Sequence, residues 1–150
     1  MSTAPVRLYT IGFTEKSAEE FFALLLSHGV RKLVDTRVNN TSQLAGFAKG
    51  RDLAYFCRVV GSMEYEHRLD MAPTRDLLGD YRKGEMNWAE YTDRYMELLR
   101  KRKVRSKVSL RDLDGACLLC SEHLPQQCHR SLLSEHLREA FPEITVTHLT

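Results

Sequence analysis

The sequence lacks any long apolar run, any strong charge excess and any low-complexity segment. None of its 150 residues belongs to an apolar stretch near the roughly 20 residues that a membrane helix needs, so we predict no membrane contact. Its net charge of +2 is too small to indicate a dedicated nucleic-acid-binding protein. The first six residues lack the basic and apolar regions of a secretory signal, so we expect a cytoplasmic protein.

Cysteine is also scarce. The four cysteines are Cys57, Cys117, Cys120 and Cys128. In a reducing cytoplasm we expect thiols, metal ligands or catalytic groups at these positions, not structural disulfides. A chain of this length buries roughly 68–70% of its unfolded surface, so neither a disulfide nor a metal is needed to stabilise it. We interpret Cys57 and Cys117 as core residues and predict no cofactor.

The first part of the chain has the pattern of a βαβ unit. Leu8–Ile11 is a β-prone apolar run that ends at Gly12, and Lys32–Val34 is a second one that leads into Asp35. Between them, Ser17 and Glu20 have the spacing of a capping box that begins a helix with an apolar stripe. A strand, a helix and a strand in this order predict parallel strands.

The rest of the chain continues to alternate. We predict helices over 52–60, from 73 to about 81, from 87 onwards and over 128–141, strands at 64–67, 116–120 and 144–149, and a turn at 112–115. There is no internal repeat and no linker. Residues 1–150 are therefore predicted to form a single three-layer α/β domain, with a mostly parallel sheet of about four to five strands flanked by helices.

Ligands of parallel sheets bind beyond the carboxyl ends of the strands. Applied to the predicted strands, this rule selects a set of candidate site residues. They are Gly12 and Thr14, Asp35 and Arg37, Cys120 and Glu122, and Cys128, His129 and Arg130.

Cys128 is the candidate nucleophile. It lies where a helix begins, and the partial positive charge of a helix N-terminus favours a reactive thiolate. His129 or Glu122 is the candidate proton-transfer group. In the alternative interpretation Cys128 is a small buried side chain, and Glu122 only caps or pairs within its loop.

Arg37 and Arg130 are candidate ligands for a small anionic molecule, because a guanidinium binds phosphate or carboxylate in a bidentate manner. The alternative for Asp35 is a purely structural ion pair with Arg37 or with Arg130.

A basic run contributes a second possible phosphate contact. It consists of Arg100, Lys101, Arg102, Lys103, Arg105 and Lys107. The alternative interpretation, which we favour, is a solvated helix end, where cations are stabilised by the helix dipole.

A zinc site is the remaining alternative for the cysteines. Cys117 and Cys120 are three positions apart on a predicted strand, so their side chains face opposite sides of the sheet and do not form a zinc knuckle. A site of Cys120 and Cys128 with His129 or His123 is a less favoured possibility. We therefore predict no metal.

Several segments together are similar to one known family. They are Tyr9–Thr14, Leu33–Arg37, Gly46 with Phe47, Leu119–Glu122, Pro125, Cys128–Arg130 and Ile144–Leu149. They resemble the motifs of the bacterial and archaeal domain of unknown function 488, and the resemblance spans nearly the whole chain. It implies an α/β domain with paired cysteines near a site, and it implies no established reaction.

The sequence departs from that family at several positions. Phe13 and Thr14 stand where the family usually has histidine and serine, and Thr36 replaces an aliphatic residue. Residues 38–42 lack the family's usual arginines and proline. A mechanism that needs an imidazole at position 13, or a phosphate contact at 38–42, is therefore not expected here.

Three functional hypotheses follow. The favoured one is a cysteine-dependent enzyme that acts on a phosphate- or carboxylate-bearing substrate. The second is a nucleotide- or nucleic-acid-binding module without catalysis, and the third is a structural or partner-binding domain. The binding module requires affinity that weakens steeply with salt, whereas the structural domain requires unreactive thiols.

Overall fold

A computed structural model describes residues 5–39, 49–120 and 128–150. The strands are Val6–Gly12 (β1), Lys32–Asp35 (β2), Glu64–His67 (β3), Ala116–Cys120 (β4) and Ile144–Leu149 (β5). They pair in the order β3-β2-β4-β1-β5, and every pairing is parallel. The predicted parallel α/β architecture is confirmed, with five strands in the described residues.

Helices cover both faces of this sheet. They are Ala18–Ser27 (α1), Gly50–Gly61 (α2), Arg75–Arg82 (α3), Trp88–Lys101 (α4), Leu110–Leu113 (α5) and His129–Ala140 (α6). Short 3₁₀ turns lie at Leu69–Met71 and Val104–Lys107. None of the helices in the described ranges is long and apolar enough to cross a membrane.

Side-chain caps stabilise two of the predicted helix starts, those of α1 and α4. The Ser17 hydroxyl accepts the Glu20 backbone N–H at 3.1 Å, and the Glu20 carboxylate accepts the Ser17 N–H at 3.2 Å. At α4, the Asn87 side chain accepts the Glu90 N–H at 2.8 Å. Each cap satisfies backbone donors that a helix N-terminus otherwise leaves without partners.

β4 lies between β2 and β1 and is buried on both faces, as its continuous apolar sequence predicts. Leu118 packs into the core beneath α4 and α6, together with Tyr95 and Leu133. Cys117 and Leu119 pack on the opposite side against α1 and α2. Successive side chains of β4 therefore pack into two separate hydrophobic cores, one on each face of the sheet.

The predicted turn at residues 112–115 is only partly correct, because the helical turn α5 precedes it. The Ser109 hydroxyl accepts the Asp112 N–H at 3.2 Å, and the Asp112 carboxylate accepts the Ser109 N–H at 3.1 Å. This capping box stabilises one turn of helix. Gly115, at φ 78°, then reverses the chain into β4.

The basic run covers the C-terminal end of α4 and the 3₁₀ turn that follows it. Arg102 donates from Nη1 to the carbonyls of Leu69, Asp70 and Ala72, at 3.1, 3.0 and 2.6 Å. Arg105 donates to the His136 carbonyl at 3.0 Å and pairs with a carboxylate on α6. Two of the six cations therefore form contacts that hold this segment to other elements of the fold.

We expect Arg102→Ala to lower the free energy of unfolding by about 1–3 kcal/mol, because three carbonyls lose a charged donor and two of these hydrogen bonds are partly buried. Lys101→Ala is the matched control, since Lys101 is exposed and an exposed substitution typically changes stability by less than about 0.5 kcal/mol. Urea unfolding of both variants measures the difference. Equal effects would contradict a structural role for Arg102.

Candidate active site

The strand order brings the carboxyl ends of β1, β4 and β2 together. Gly12 is in register with Cys120, and Asp35 is in register with Leu119. Residues from three distant parts of the chain therefore share one edge, where the strand-end rule places ligands. Gly12 is buried there and Thr14 is half-buried.

Cys120 and Cys128 are the centre of this edge. Cys120 is the last residue of β4, and Cys128 is the N-cap of α6. The structure places their sulfurs in contact, with Cα atoms 7.6 Å apart, whereas a disulfide forms without backbone movement only below about 7 Å. Both residues are buried. The cysteine pairing that the family resemblance implies stays a prediction, and these are the two cysteines whose sulfurs the structure brings together.

Arg130, in the first turn of α6, lies against this pair. Its side chain is fully buried, and Nη1 donates to Cys120 Sγ at 3.4 Å. A guanidinium in a site with little water stabilises a neighbouring anion far more than one in bulk solvent. The contact therefore favours the thiolate form of a reduced Cys120.

The other two cysteines have a different environment. Cys57 and Cys117 are fully buried in the core beneath α1 and α2. Burial raises the pKa of Cys57 to about 12, and it also raises the pKa of Cys117. Both thiols therefore stay protonated at neutral pH, and the prediction that they are core residues agrees with their burial.

His129 connects three elements. Its Nε2 lies 2.9 Å from the Thr36 carbonyl, which can only accept, so Nε2 carries the proton. The Thr36 hydroxyl lies 3.0 Å from the same nitrogen and donates to the Leu119 carbonyl at 2.8 Å. Burial lowers the pKa of His129 to about 4. The neutral His129 ring thus connects α6 to β2 and β4. A role of His129 in proton transfer stays a prediction.

Asp35 and Arg37 form a buried ion pair. Arg37 donates from Nε and Nη2 to the two Asp35 oxygens at 2.8 and 2.7 Å, and its backbone N–H donates to the same carboxylate at 3.1 Å. The Tyr65 hydroxyl adds another donor at 2.5 Å. The structural ion pair considered for Asp35 is therefore formed with Arg37. Anion binding by Arg37 stays a prediction. In this structure the Nε and Nη2 atoms of Arg37 are already bonded to the Asp35 carboxylate.

Three further residues surround this pair, and two of them, Tyr65 and His67, had no signal as site residues in the sequence. The Phe13 ring centroid lies 5.2 Å from the Arg37 guanidinium, within the range of a cation–π contact. His67 donates from Nε2 to the Arg37 carbonyl at 2.8 Å. His67 and Tyr65 belong to β3, whose place beside β2 only the sheet order reveals.

Basic groups are concentrated near Arg130. Its charge helps to lower the pKa of Lys16 and of His148, after the larger effect of burial in each case. His148 Nδ1 also lies 2.6 Å from the Thr10 hydroxyl. Arg130 and Lys16 are therefore two cations that lie near each other at this end of the sheet.

Some predicted site residues lie outside the described part of the chain. They are Ser121, Glu122, His123, Pro125, Gly46 and Phe47. Among the described residues there is no group of three or more histidine, cysteine or acidic side chains that could hold a metal ion.

The family described as "Domain of unknown function DUF488" has a model that matches residues 17–137. The chain belongs to this family. The matched range includes Asp35, Arg37, Cys120 and Cys128–Arg130, whereas Gly12 and Thr14 precede it. No curated protein and no solved structure matches the chain. DUF488 membership assigns no reaction, so the chemistry must be argued from the site.

The low pKa of His129 predicts a stability that depends on pH. An unfolded histidine takes up a proton near pH 6.5, whereas His129 in the fold does so only near pH 4. The unfolded state therefore binds more protons between these values, and stability falls as the pH drops through this window. The expected loss from His129 at pH 4 is about 3 kcal/mol.

Urea unfolding at pH 7.5, 6, 5 and 4.5 measures this effect. His129→Gln keeps a donor near Thr36 and does not titrate, so its stability should fall less steeply than that of the wild type. His28→Gln is the control, since His28 is exposed at the end of α1. Parallel pH profiles for the wild type and His129→Gln would refute the assignment.

Proposed function

We propose that this protein is a cysteine-dependent oxidoreductase in which Cys120 and Cys128 alternate between dithiol and disulfide while they act on an anionic disulfide substrate. One observation carries the proposal. The sulfurs of Cys120 and Cys128 are in contact at the carboxyl edge of the sheet, and a buried guanidinium donates to one of them at 3.4 Å.

Cys128 is the attacking thiol in this proposal. It caps a helix of 12 residues without using its side chain in a capping hydrogen bond. The unsatisfied N–H groups and the dipole of that helix stabilise negative charge at its N-terminus. Cysteines in this position have lowered pKa values in other proteins and are correspondingly reactive.

Cys120 is the resolving thiol. Arg130 balances the charge of its thiolate, and exchange is faster when the departing sulfur is a stabilised thiolate. The contact between Arg130 and Cys120 therefore assists thiol–disulfide exchange in both directions. When the Cys120–Cys128 bond forms, it stabilises the attacking Cys120 thiolate. When an external thiol attacks Cys128, it stabilises Cys120 as the leaving group.

The reaction balances as a thiol–disulfide exchange. The Cys128 thiolate attacks one sulfur of the substrate R–S–S–R, a Cys128–S–R bond forms and the thiolate RS⁻ departs. The Cys120 thiolate then attacks Cys128 Sγ, the Cys120–Cys128 bond forms and a second RS⁻ departs. Both leaving groups take the protons that the two cysteines gave up. The protein loses two electrons and the substrate is reduced to two thiols.

The preference for an anion rests on charge. Arg130 is close enough to lower the pKa of Lys16 and of His148, and of the three only Arg130 and Lys16 are charged at neutral pH. A carboxylate-bearing substrate is attracted to such an edge, whereas a cationic one is repelled. Because Arg130 is fully buried, the proposal has it attract the substrate through its electric field and not by direct contact.

Nucleic-acid binding through the basic run is the second candidate, and the partner-binding domain is the third. Arg102 and Arg105 already bind neighbouring elements, which leaves fewer cations for phosphates. Salt-dependent binding of an oligonucleotide distinguishes the second candidate from the oxidoreductase, since counterion release makes that affinity fall steeply with salt.

We expect the reduced protein to reduce oxidised glutathione, an anionic disulfide, about tenfold or more faster than cystamine, a cationic one, because charge complementarity changes association rates by roughly 10–1000-fold. Stopped-flow measurement of thiol release at pH 7 determines both rates. Arg130→Met should reduce the preference, and Arg130→Lys should partly retain it. Circular dichroism of each variant reports whether the fold is intact.

Alkylation of the reduced protein at pH 6.5, followed by mass spectrometry, compares the reactivity of the four cysteines in one sample. Cys57 and Cys117 serve there as internal controls for Cys128. Cys128 should be labelled first, while Cys57 and Cys117 remain unlabelled because their raised pKa values keep both thiols protonated. Cys128→Ser should abolish thiol release from oxidised glutathione. Unchanged release by that variant, or equal labelling of all four cysteines, would overturn the proposal.

A further inference from the structure

The hydroxyl of Thr36 connects the two segments that carry the site cysteines. Thr36 directly follows β2 and is fully buried. Its hydroxyl donates to the Leu119 carbonyl at 2.8 Å and lies 3.0 Å from Nε2 of His129. Leu119 precedes Cys120 in β4. His129 follows Cys128 at the start of α6. One side chain therefore contacts the immediate neighbour of each cysteine.

The direction of these hydrogen bonds follows from the hydrogens available. A threonine hydroxyl has one hydrogen, and that of Thr36 is donated to the Leu119 carbonyl. Toward His129 this hydroxyl can only accept, which agrees with a proton on Nε2. The Nε2–H is shared between the hydroxyl and the carbonyl of Thr36, at 3.0 and 2.9 Å. The hydrogen bonds among these three residues form one connection, the Thr36 link, that runs from α6 to β4.

The surroundings of the Thr36 link make it rigid. The Thr36 backbone N–H also donates to the Leu119 carbonyl, at 3.0 Å, so this carbonyl accepts two hydrogen bonds from one residue. The Tyr95 ring packs edge-on against the His129 ring, with centroids 5.6 Å apart. Side chains in a closely packed interior have little room to move. The His129 ring is therefore fixed by packing as well as by hydrogen bonds, and so is the first turn of α6.

The Thr36 link affects the separation of the two site thiols. Cys128 makes no side-chain capping hydrogen bond, so its position depends on the residues beside it. The Cα atoms of Cys120 and Cys128 are 7.6 Å apart, just beyond the limit of about 7 Å for closure of a disulfide without backbone movement. The link thus keeps the start of α6 within a small movement of β4. Reactions between two held groups slow steeply when their relative position is loosened.

We infer that Thr36 and His129 are positioning residues for thiol–disulfide exchange, because they hold the two site thiols within reach of each other. The inference rests on the proposed function and concerns its second step. In that step the Cys120 thiolate attacks Cys128 Sγ of the mixed disulfide, the Cys120–Cys128 bond forms and the thiolate RS⁻ departs. The first attack, by Cys128 on the substrate, does not involve Cys120 and is independent of the Thr36 link.

Thr36→Val tests the inference, since valine keeps the branched shape of threonine and lacks its hydroxyl. Stopped-flow measurement of thiol release from oxidised glutathione separates the two steps. The first release accelerates with substrate concentration, whereas the second, which is intramolecular, reaches a rate independent of it. We expect Thr36→Val to slow the second release about tenfold, because two hydrogen bonds of the link are lost, and to leave the first unchanged.

Three further variants serve as controls. Thr36→Ser keeps the hydroxyl and should restore the rate of the second release. Thr10→Val is the matched control, since Thr10 is a buried threonine of β1 whose hydroxyl is bonded to His148 and lies outside the Thr36 link. Cys120→Ser should abolish the second release and so identifies that phase.

His129→Leu removes the donor at the other end of the Thr36 link. It provides the same comparison where circular dichroism shows that Thr36→Val is not folded. The second release should slow at least as much as in Thr36→Val, and by the same factor at every pH from 6 to 8. A proton-transfer group at this position would instead change the shape of the pH profile.

The outcomes separate this inference from the proposed function. An unchanged second release in Thr36→Val and His129→Leu, equal slowing of both releases, or equal slowing by Thr10→Val would each contradict the positioning role alone. Failure of the wild type to release any thiol from oxidised glutathione would overturn the proposed function and the positioning role together.

Discussion

The parallel pairing of β4 between β2 and β1 is the constraint on which the rest of the structure depends. β4 is apolar on both faces, so it must be covered on both, and α1 with α2 and α4 with α6 provide that cover. The pairing also sets the position of Cys120 beside Gly12 and one residue beyond the level of Asp35. A shift of register by one residue would exchange Cys117 and Cys120 between the two faces and remove the thiol from Arg130.

Charge burial at the carboxyl edge is the second organising feature. Asp35 and Arg37 are almost completely buried. The Asp35 carboxylate accepts a bidentate pair of hydrogen bonds from the Arg37 guanidinium, one from the Arg37 backbone N–H and one from the Tyr65 hydroxyl. Removal of one partner from such a pair leaves an uncompensated buried charge and costs about 3–5 kcal/mol. Arg130 is buried as deeply, and its contact with Cys120 connects charge burial to thiol chemistry. The same desolvation keeps His129 neutral and available as a tie between α6 and β2.

Local signals were sufficient for most elements. Ser17 with Glu20 and Asn87 with Glu90 predicted helix starts because a capping bond needs only residues three positions apart. The unbroken apolar run at Ala116–Cys120 predicted a strand covered on both faces. The helical turn α5 was not predicted, because a helix of four residues has too few positions to show a period. The basic run illustrates the opposite limit: its sequence is uniform, but Arg102 bonds three carbonyls and Lys107 is exposed.

The sequence by itself determined the α/β class, the helix caps, the core positions of Cys57 and Cys117, and the strand ends at which the site residues lie. These properties follow from periodicity and from short-range hydrogen bonds, and both can be recognised in the sequence without knowledge of the fold. Only the tertiary structure decided that Asp35 pairs with Arg37, that Cys120 meets Cys128, and that Arg130 lies against the sulfur. Those contacts join residues through strand order, helix orientation and burial, and the cost of burying a charge depends on every neighbour that surrounds it.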